Sequence, residues 1–249
     1  MLLLLSPAKT LDFNPSGFST HTQANFLEQS QRLIELLRPM SKEDIQQLMK
    51  VSEKIAELNV ERYQQFQLPF DEENAKQAIL AFKGDVYQGL AVEEFDQADL
   101  DFAQEHIGIL SGLYGFLKPL DLMQPYRLEM GTKLANKEGK NLYEFWGAQI
   151  AQYINALKPK SVVNLASKEY FKAVDTKVLD SPIWNVDFKE NKNGKYKIVA
   201  FYAKQARGMM AHYVVKNRLT KPEQLKGFDM EDYQYNEELS EGQHLVFTR

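Results

Sequence analysis

Short apolar segments separated by helical patterns are the feature that most limits the fold of this chain. Segments rich in aliphatic and aromatic residues predict strands at 1–5, 161–165, 183–188, 195–202 and 244–248. Between them, apolar residues recur at the three- and four-residue spacing of helices, at 24–38, 41–66, 71–81, 141–157 and 203–219. The alternation is uneven, so the pattern predicts a mixed α/β (α+β) fold in which helices flank a mixed sheet.

The chain is expected to form a single large domain, 1–249, because no Pro/Gly/Ser-rich linker and no internal repeat divides its 249 residues. Its opening segment, MLLLL, has too few apolar residues for a signal peptide or a membrane span, and no basic residues precede it. We therefore expect a cytoplasmic protein that does not associate with membranes.

The types of residue present exclude several kinds of chemistry. The absence of cysteine rules out disulfides, thiolate zinc sites, iron–sulfur clusters and thiol-based redox sensing. The histidines have no recognised ligand spacing; they are His21, His106, His212 and His244. We therefore predict no metal and no cofactor. Because the Walker, GxGxxG and GxSxG patterns are also missing, we expect no known catalytic activity.

Charge is strongly segregated along the chain, although the net charge is only −4. Residues 85–105 contain seven acids and no Lys or Arg, and residues 229–241 contain six acids and no base. Residues 195–226 contain eight bases and one acid. This asymmetry predicts a basic surface with acidic surfaces elsewhere, although solvated helix faces would explain the acidic runs equally well.

Three predicted strands are each followed by a lysine: Lys9 in SPAKT, Lys168 in ASKEYFK and Lys204 in AKQARG, with Ser167 beside the second. If these strands are parallel neighbours, the lysines converge at the carboxyl edge of the sheet, where ligands bind in such folds. A helix starting at 203 would place Lys204 and Arg207 in an uncapped first turn. Cations are normally disfavoured at that positive terminus, so we expect an external anion to complete it.

A second candidate anion site is the turn-rich segment 109–134, which contains Lys118, Arg127 and Lys133. Gly112 and Gly115 in LSGLYG would allow backbone amides to contact phosphate, as in the hairpin of helix-hairpin-helix modules. The glycine spacing is one residue longer than in the usual hairpin. A packed turn whose aromatic residues belong to the core explains the pattern equally well.

Seven segments together resemble the YaaA family of bacterial peroxide-stress proteins: SPAKTLD, AILAFKGDVYQGL, LSGLYGFLKPLDLMQPYRLEMG, NLYEFWG, NLASKEYFK, FYAKQARGMM and NRLTKPEQLKGF. The resemblance runs nearly end to end and is weakest after SPAKTLD and at the C-terminus. It implies a cytosolic protein that limits free iron, and so oxidative damage, during peroxide stress. It also implies a positively charged cleft that binds DNA and a helix-hairpin-helix element at 110–119.

The residues leave three functions open. In the first, a peroxide-stress protein binds duplex DNA through phosphates, with little sequence preference, using Lys9, Lys118, Arg127, Lys168, Lys204 and Arg207. In the second, an enzyme with an unassigned reaction acts on a small anionic ligand, phosphate- or nucleotide-like, with Glu129 or Tyr126 as acid or base. The third is a protein-interaction adaptor in iron homeostasis. Neither the oligomeric state nor the protein partners follow from the sequence.

Overall fold

The leucines that open the sequence form the central strand, β1 (Leu2–Leu5), of the computed structural model, which describes residues 1–15 and 17–249. All four are buried. Residues that are apolar on both faces of a strand indicate a sheet covered by helices on each side, as parallel sheets usually are.

The remaining strands are mostly short. In chain order they are β2 (Thr10–Leu11), β3 (Thr22–Gln23), β4 (Lys76–Gln77), β5 (Phe82–Lys83), β6 (Ile107–Ser111), β7 (Gly115–Leu117), β8 (Asp121–Met123), β9 (Val162–Asn164), β10 (Ile183–Lys192), β11 (Lys195–Lys197), β12 (Gln234–Tyr235) and β13 (His244–Thr248).

Helices connect these strands. They are α1 (Leu27–Leu37), α2 (Lys42–Met49), α3 (Glu53–Gln65), α4 (Ala78–Ala81), α5 (Asp85–Leu90), α6 (Gln97–His106), α7 (Leu142–Trp146), α8 (Gln149–Ala156), α9 (Lys168–Phe171) and α10 (Ala200–Lys216). Short 3-10 helices occur at Val92–Glu94, Pro222–Gly227 and Met230–Asp232. The predicted start of α2 is confirmed, because the Asp44 backbone N–H donates to the Ser41 hydroxyl at 3.1 Å.

Within the described residues, eight strands form the main sheet in the order β12-β13-β10-β9-β1-β6-β7, and β11 pairs with β10. Strands β6, β1, β9, β10 and β13 are mutually parallel, whereas β7, β11 and β12 pair in the antiparallel sense. The sheet is therefore mixed, as the sequence predicted. The parallel strands end at one edge of the sheet, which we call the carboxyl edge.

One hydrophobic cluster spans the main sheet and the surrounding helices, so the chain forms one large mixed α/β domain. Its largest side chain is Trp146, which is fully buried and donates its indole N–H to the Gly112 carbonyl at 3.1 Å. Among the described residues, no helix is both long enough and apolar enough to cross a membrane.

Several predicted boundaries differ from the structure. The region 71–81 contains only the short helix α4, preceded by β4, and the helix predicted at 141–157 is interrupted at Gly147, where φ is +47°. The strand predicted at 195–202 ends at Lys197, and the following helix begins at Ala200. Local hydrophobicity predicted the extended conformation at 198–202, but in the described part of the chain no strand pairs with these residues, and α10 begins at Ala200.

The expectation of a helix-hairpin-helix element at 110–119 is wrong. This segment contains the end of β6 and all of β7, joined by a tight turn in which Ser111 pairs with Gly115. Leu113, Tyr114 and Phe116 are completely buried. The alternative interpretation, a packed turn with core aromatic residues, describes the segment.

Candidate anion site at the carboxyl edge

The loops that follow β1 and β9 lie against each other at the carboxyl edge. The Ser167 backbone N–H donates to the Ser6 hydroxyl at 2.8 Å, and the Tyr87 hydroxyl donates to the Ser6 carbonyl at 3.2 Å. Ser167 also caps α9, which begins at Lys168. Because β1 and β9 are adjacent and parallel, the loops that carry Lys9 and Lys168 begin at the same edge of the sheet. The third strand of that prediction does not join them, because β11 pairs in the antiparallel sense with β10.

Arg127 reaches the same edge from the central segment. The Ser111 hydroxyl, at the end of β6, lies 2.6 Å from the Tyr126 hydroxyl, and Arg127 follows directly. Glu129 lies 3.0 Å from both the Lys9 ammonium and an Arg127 guanidinium nitrogen. This carboxylate therefore brings the two predicted cations together and neutralises part of their charge.

The surroundings of Arg127 are crowded and polar. The Tyr63 hydroxyl donates to the Arg127 carbonyl. Burial lowers the pKa of the neighbouring Arg62, and the positive charge of Arg127 lowers it further. Burial also raises the pKa of Tyr126, which therefore keeps its proton at neutral pH. Arg62 is a cation of this site that the sequence analysis missed, because nothing in its local pattern connects it with the central segment.

Lys204 and Arg207 do not lie in the first turn of a helix, so the expectation of an anion bound at an uncapped helix terminus is wrong. α10 begins at Ala200, after Val199, and both cations lie in its second turn. The reason is local: Ala200 and Ala203 favour helix strongly, and the hairpin formed by β10 and β11 ends the strand early.

Close packing of two helices positions this part of α10. Gly89 of α5 and Gly208 of α10 face the backbone of the opposite helix, with no room for a side chain at either position. The contact brings the Lys204 ammonium to 3.6 Å from Asp85, the first residue of α5. Gly84 lies beside Ala8, since a Cβ at Gly84 would be 3.4 Å from the Ala8 Cβ. Lys204 therefore belongs to the same surface as the loop that carries Lys9.

Arg207 is mostly buried and lacks a close carboxylate within the described chain. Burial lowers the pKa of Arg207, and the more distant Asp187 partly opposes that effect. Asp187 is itself engaged by His244, whose Nε2 lies 3.0 Å from its carboxylate. Of all the buried side-chain nitrogen and oxygen atoms in the described residues, two have no hydrogen-bond partner: Nε of Arg127 and Nε of Arg207.

Four other predicted site residues do not join this surface as expected. Lys118 lies at the opposite edge beside Met1 and Leu2, because β7 runs antiparallel to β6 and returns the chain there. Gly112 and Gly115 are buried, where they allow close contact with Leu128 and Trp146 rather than with a ligand.

Lys133 is exposed and has no carboxylate within 4 Å among the described residues. The loop that carries it is held against α9, where the Gly131 backbone N–H donates to Glu169 at 2.9 Å. Lys133 is thus close in sequence to Arg127, but in the described chain no hydrogen bond or ion pair links it to the cations of the carboxyl edge.

Folding cancels much of the charge segregation seen in the sequence. Asp99, in the acidic segment 85–105, lies 2.8 Å from Lys216 and 2.7 Å from Arg218. Both cations belong to the basic segment 195–226. Burial raises the pKa of Asp99, but hydrogen bonds from these two cations outweigh burial and lower it to about 2. Among the described residues, the cations of segment 195–226 without a carboxylate within 4 Å are Lys195, Lys197, Arg207, Lys221 and Lys226. No group of three or more His, Asp or Glu side chains arranged for a metal occurs in the described part of the chain.

Comparison with known proteins gives the family. A family model described as peroxide stress protein YaaA matches residues 1–239 of the chain. The chain belongs to this family. The match covers every predicted site residue, whereas β13 lies beyond its end.

Membership in the YaaA family assigns the chain to the peroxide-stress proteins, as the motifs indicated. It does not by itself say which molecule occupies the carboxyl edge.

Proposed function

We propose that this peroxide-stress protein binds duplex DNA through phosphate contacts at the carboxyl edge, and that it limits free iron and oxidative DNA damage. The observation that carries the DNA proposal is the pair of unpartnered buried nitrogens on Arg127 and Arg207. The proposal about iron depends only on the resemblance of the motifs to the family.

Leaving a buried donor without an acceptor costs about 1–3 kcal/mol, and more when the group is charged. The cost would be relieved if an anionic oxygen accepted these hydrogen bonds, since guanidinium groups bind phosphate well. An anionic ligand that reached these two arginines would therefore relieve a cost that the free protein bears.

The exposed cations around these arginines favour an extended polyanion. Lys9, Lys168 and Lys204 are solvent-accessible and come from three separate segments of chain. Contacts to phosphate from flexible lysines supply affinity and orientation without reading the bases. We therefore expect little preference for DNA sequence.

The test is the salt dependence of binding to a labelled duplex, measured by fluorescence anisotropy. Replacing both arginines, Arg127→Gln with Arg207→Gln, should lower the slope of log affinity against log salt by roughly 2. The matched control is Lys158→Gln with Lys160→Gln, which removes two charges next to β9 at the opposite edge and should leave the slope unchanged. An unaltered slope in the arginine variant would remove these residues from the interface.

A second variant of Arg207 tests whether this side chain serves only to stabilise the fold. Arg207→Met removes a buried donor that has no acceptor, so the free energy of unfolding of the free protein should stay the same or rise by up to about 1 kcal/mol. Urea unfolding measures it. A loss of more than about 2 kcal/mol would mean that Arg207 serves the fold instead.

A second candidate function, binding of a small anionic substrate, is favoured by a cleft beside this site. The cleft has a volume of about 880 Å³ and is lined by Arg62, Lys76 and several amide side chains, and also by the carboxylates of Glu72 and Glu73, which oppose binding of an anion. That size suits a nucleotide-like ligand. A rise in melting temperature with free nucleotides, abolished by Arg62→Gln while duplex binding persists, would support this candidate.

A further inference from the structure

The hairpin of β10 and β11 projects beyond the rest of the sheet. β10 pairs with β9 only as far as Asn185 and with β13 as far as Lys189, and the Asn191 backbone N–H donates to the Arg249 carbonyl at 2.7 Å. The hairpin beyond residue 191 therefore continues past the carboxyl edge. Asn193 and Gly194 form its two-residue turn, with φ values of +55° and +76°. This Asn-Gly turn is the type that best matches the twist of a two-stranded hairpin. We call residues 189–202, which include the hairpin and the first turn of α10, the arm.

Among the described residues, the lysines of the arm form no ion pair with a carboxylate. Lys192 pairs directly opposite Lys195 across the hairpin, an arrangement of like charges that destabilises a strand pair. Lys197 is opposite Glu190, but the Glu190 carboxylate is held by Arg249 at 3.1 Å and by the Tyr233 hydroxyl. In the described residues, no carboxylate lies within 4 Å of any lysine of the hairpin.

The arm also carries unusual aromatic exposure. Among the described Phe, Tyr and Trp side chains, Tyr196, Phe201 and Tyr202 are the most exposed, with exposed fractions of 42%, 50% and 39%. All three belong to the arm. Phe201 lies three residues before Lys204 in α10, so the two side chains are neighbours on the surface of that helix.

We infer that the arm binds a stretch of unpaired nucleic-acid strand, with its lysines on phosphates and its exposed rings stacked on bases. This inference rests on the proposed DNA-binding function and extends it to strands whose bases are not paired. Unpaired lysines beside exposed aromatic rings are the combination by which proteins hold single strands without sequence preference. In a duplex the faces of the bases are covered, so the rings would have nothing on which to stack.

The charges around the arm indicate the path of the strand. A shallow groove beside Tyr196 is lined by Asp232, Glu237 and Glu238, which repel phosphate. The Tyr202 ring is already covered by the Arg249 guanidinium at 4.9 Å. Phe201 is therefore the ring that contributes most to stacking on the bases. The bound nucleic-acid strand runs along the lysines of the arm toward Lys204.

The experiment compares two labelled probes in fluorescence anisotropy: an oligothymidine of about 20 nucleotides and a blunt duplex of equal length. Phe201→Leu keeps an apolar side chain but removes the flat ring. It should weaken binding of the single strand by roughly 10-fold and binding of the duplex by less than about 2-fold. Lys192→Gln with Lys195→Gln should lower the single-strand salt slope by about 1.4. The control is again Lys158→Gln with Lys160→Gln.

The outcomes separate this inference from the proposed function. If the wild-type protein binds the duplex and the arm variants bind the single strand as the wild type does, the arm inference is wrong and the proposed function stands. If the wild-type protein binds the single strand alone, with the expected losses in the variants, the arm inference stands and duplex binding is wrong. Sedimentation gives the third outcome: a dimer that the arm variants dissociate, without any change in binding, would assign the arm to a second copy of the chain.

Discussion

Gly208 provides the sharpest test of how α10 is positioned. A Cβ at this residue would lie 1.8 Å from the Val86 carbonyl oxygen of α5, whereas ordinary contact begins at 3.4 Å. A Cβ at Gly89 would lie 2.1 Å from the Gln205 carbonyl oxygen. The obstructing atoms are backbone in both cases, so a side chain cannot simply rotate away. Gly208→Ala therefore requires the two helices to separate by about 1.5 Å.

Two opposing effects determine the magnitude. Alanine in place of glycine inside a helix contributes up to about 1 kcal/mol through its higher helix propensity. Overpacking a tight contact costs about 1–3 kcal/mol, and here rigid backbone is displaced, which favours the upper end. We expect a net loss of about 2 kcal/mol in the free energy of unfolding, or about 4–8 °C in melting temperature for a chain of this size.

Urea unfolding followed by tryptophan fluorescence measures this loss, and a double-mutant cycle refines it. Once Gly208→Ala has separated the helices, Gly89→Ala should cost less than it does alone, so the double variant loses less than the sum of the single losses. Gly17→Ala is the control, because no described atom lies within 4 Å of a Cβ placed there. Stabilisation by Gly208→Ala, as expected for an exposed helical glycine, would refute the close packing.

Three further predictions concern the turn and two buried carboxylates. Gly115→Ala should lower the free energy of unfolding by about 3 kcal/mol, because φ is +66° and a Cβ would lie 2.6 Å from the Trp146 ring. Under conditions where the variant remains folded, the salt dependence of its binding to duplex DNA should match that of the wild type. Asp99→Asn should cost about 2 kcal/mol in urea unfolding. Because the pKa of Asp99 in the folded protein is lowered to about 2, this carboxylate stabilises the fold above about pH 4. Its contribution to the free energy of unfolding disappears as the pH falls toward 2. Burial raises the pKa of Asp121 to about 6, so its contribution is greatest at low pH and falls by at most about 3 kcal/mol as the pH rises from about 4 to 6. Asp121→Asn should abolish that descending component; an identical pH profile in the variant would contradict the assignment.

The strands that the sequence predicted well share one property. β1, β9 and β13 are short apolar segments bounded by polar residues, and β13 coincides with its predicted range, 244–248. Such segments are recognisable because burial on both faces favours apolar residues at consecutive positions, as at Val162–Val163 in β9 and Leu245–Phe247 in β13. The serine and lysine that follow β9 could be placed at its carboxyl end for the same reason.

In the arm, the sequence contained a signal for the hairpin, but the prediction of a longer strand was wrong. Apolar and aromatic residues at 198–202 predicted a longer strand, although they are exposed and begin a helix. The dipeptide Asn193–Gly194 between two lysine-rich segments was the available signal for a two-residue hairpin. A strand forms only where a neighbour supplies hydrogen bonds, and residue type alone does not reveal that neighbour.

The sequence by itself determined the local elements, the mixed α/β class and the positions of most of the cations. The tertiary structure decided which of these cations lie next to a carboxylate and which do not. Lys9 meets Glu129 and Lys204 meets Asp85 across more than a hundred residues of chain, whereas Arg207 and the lysines of the arm meet no carboxylate within 4 Å in the described residues. Helix and strand preferences act between residues close in sequence, but neutralisation of a charge depends on distance in space, and only the packed fold sets that distance.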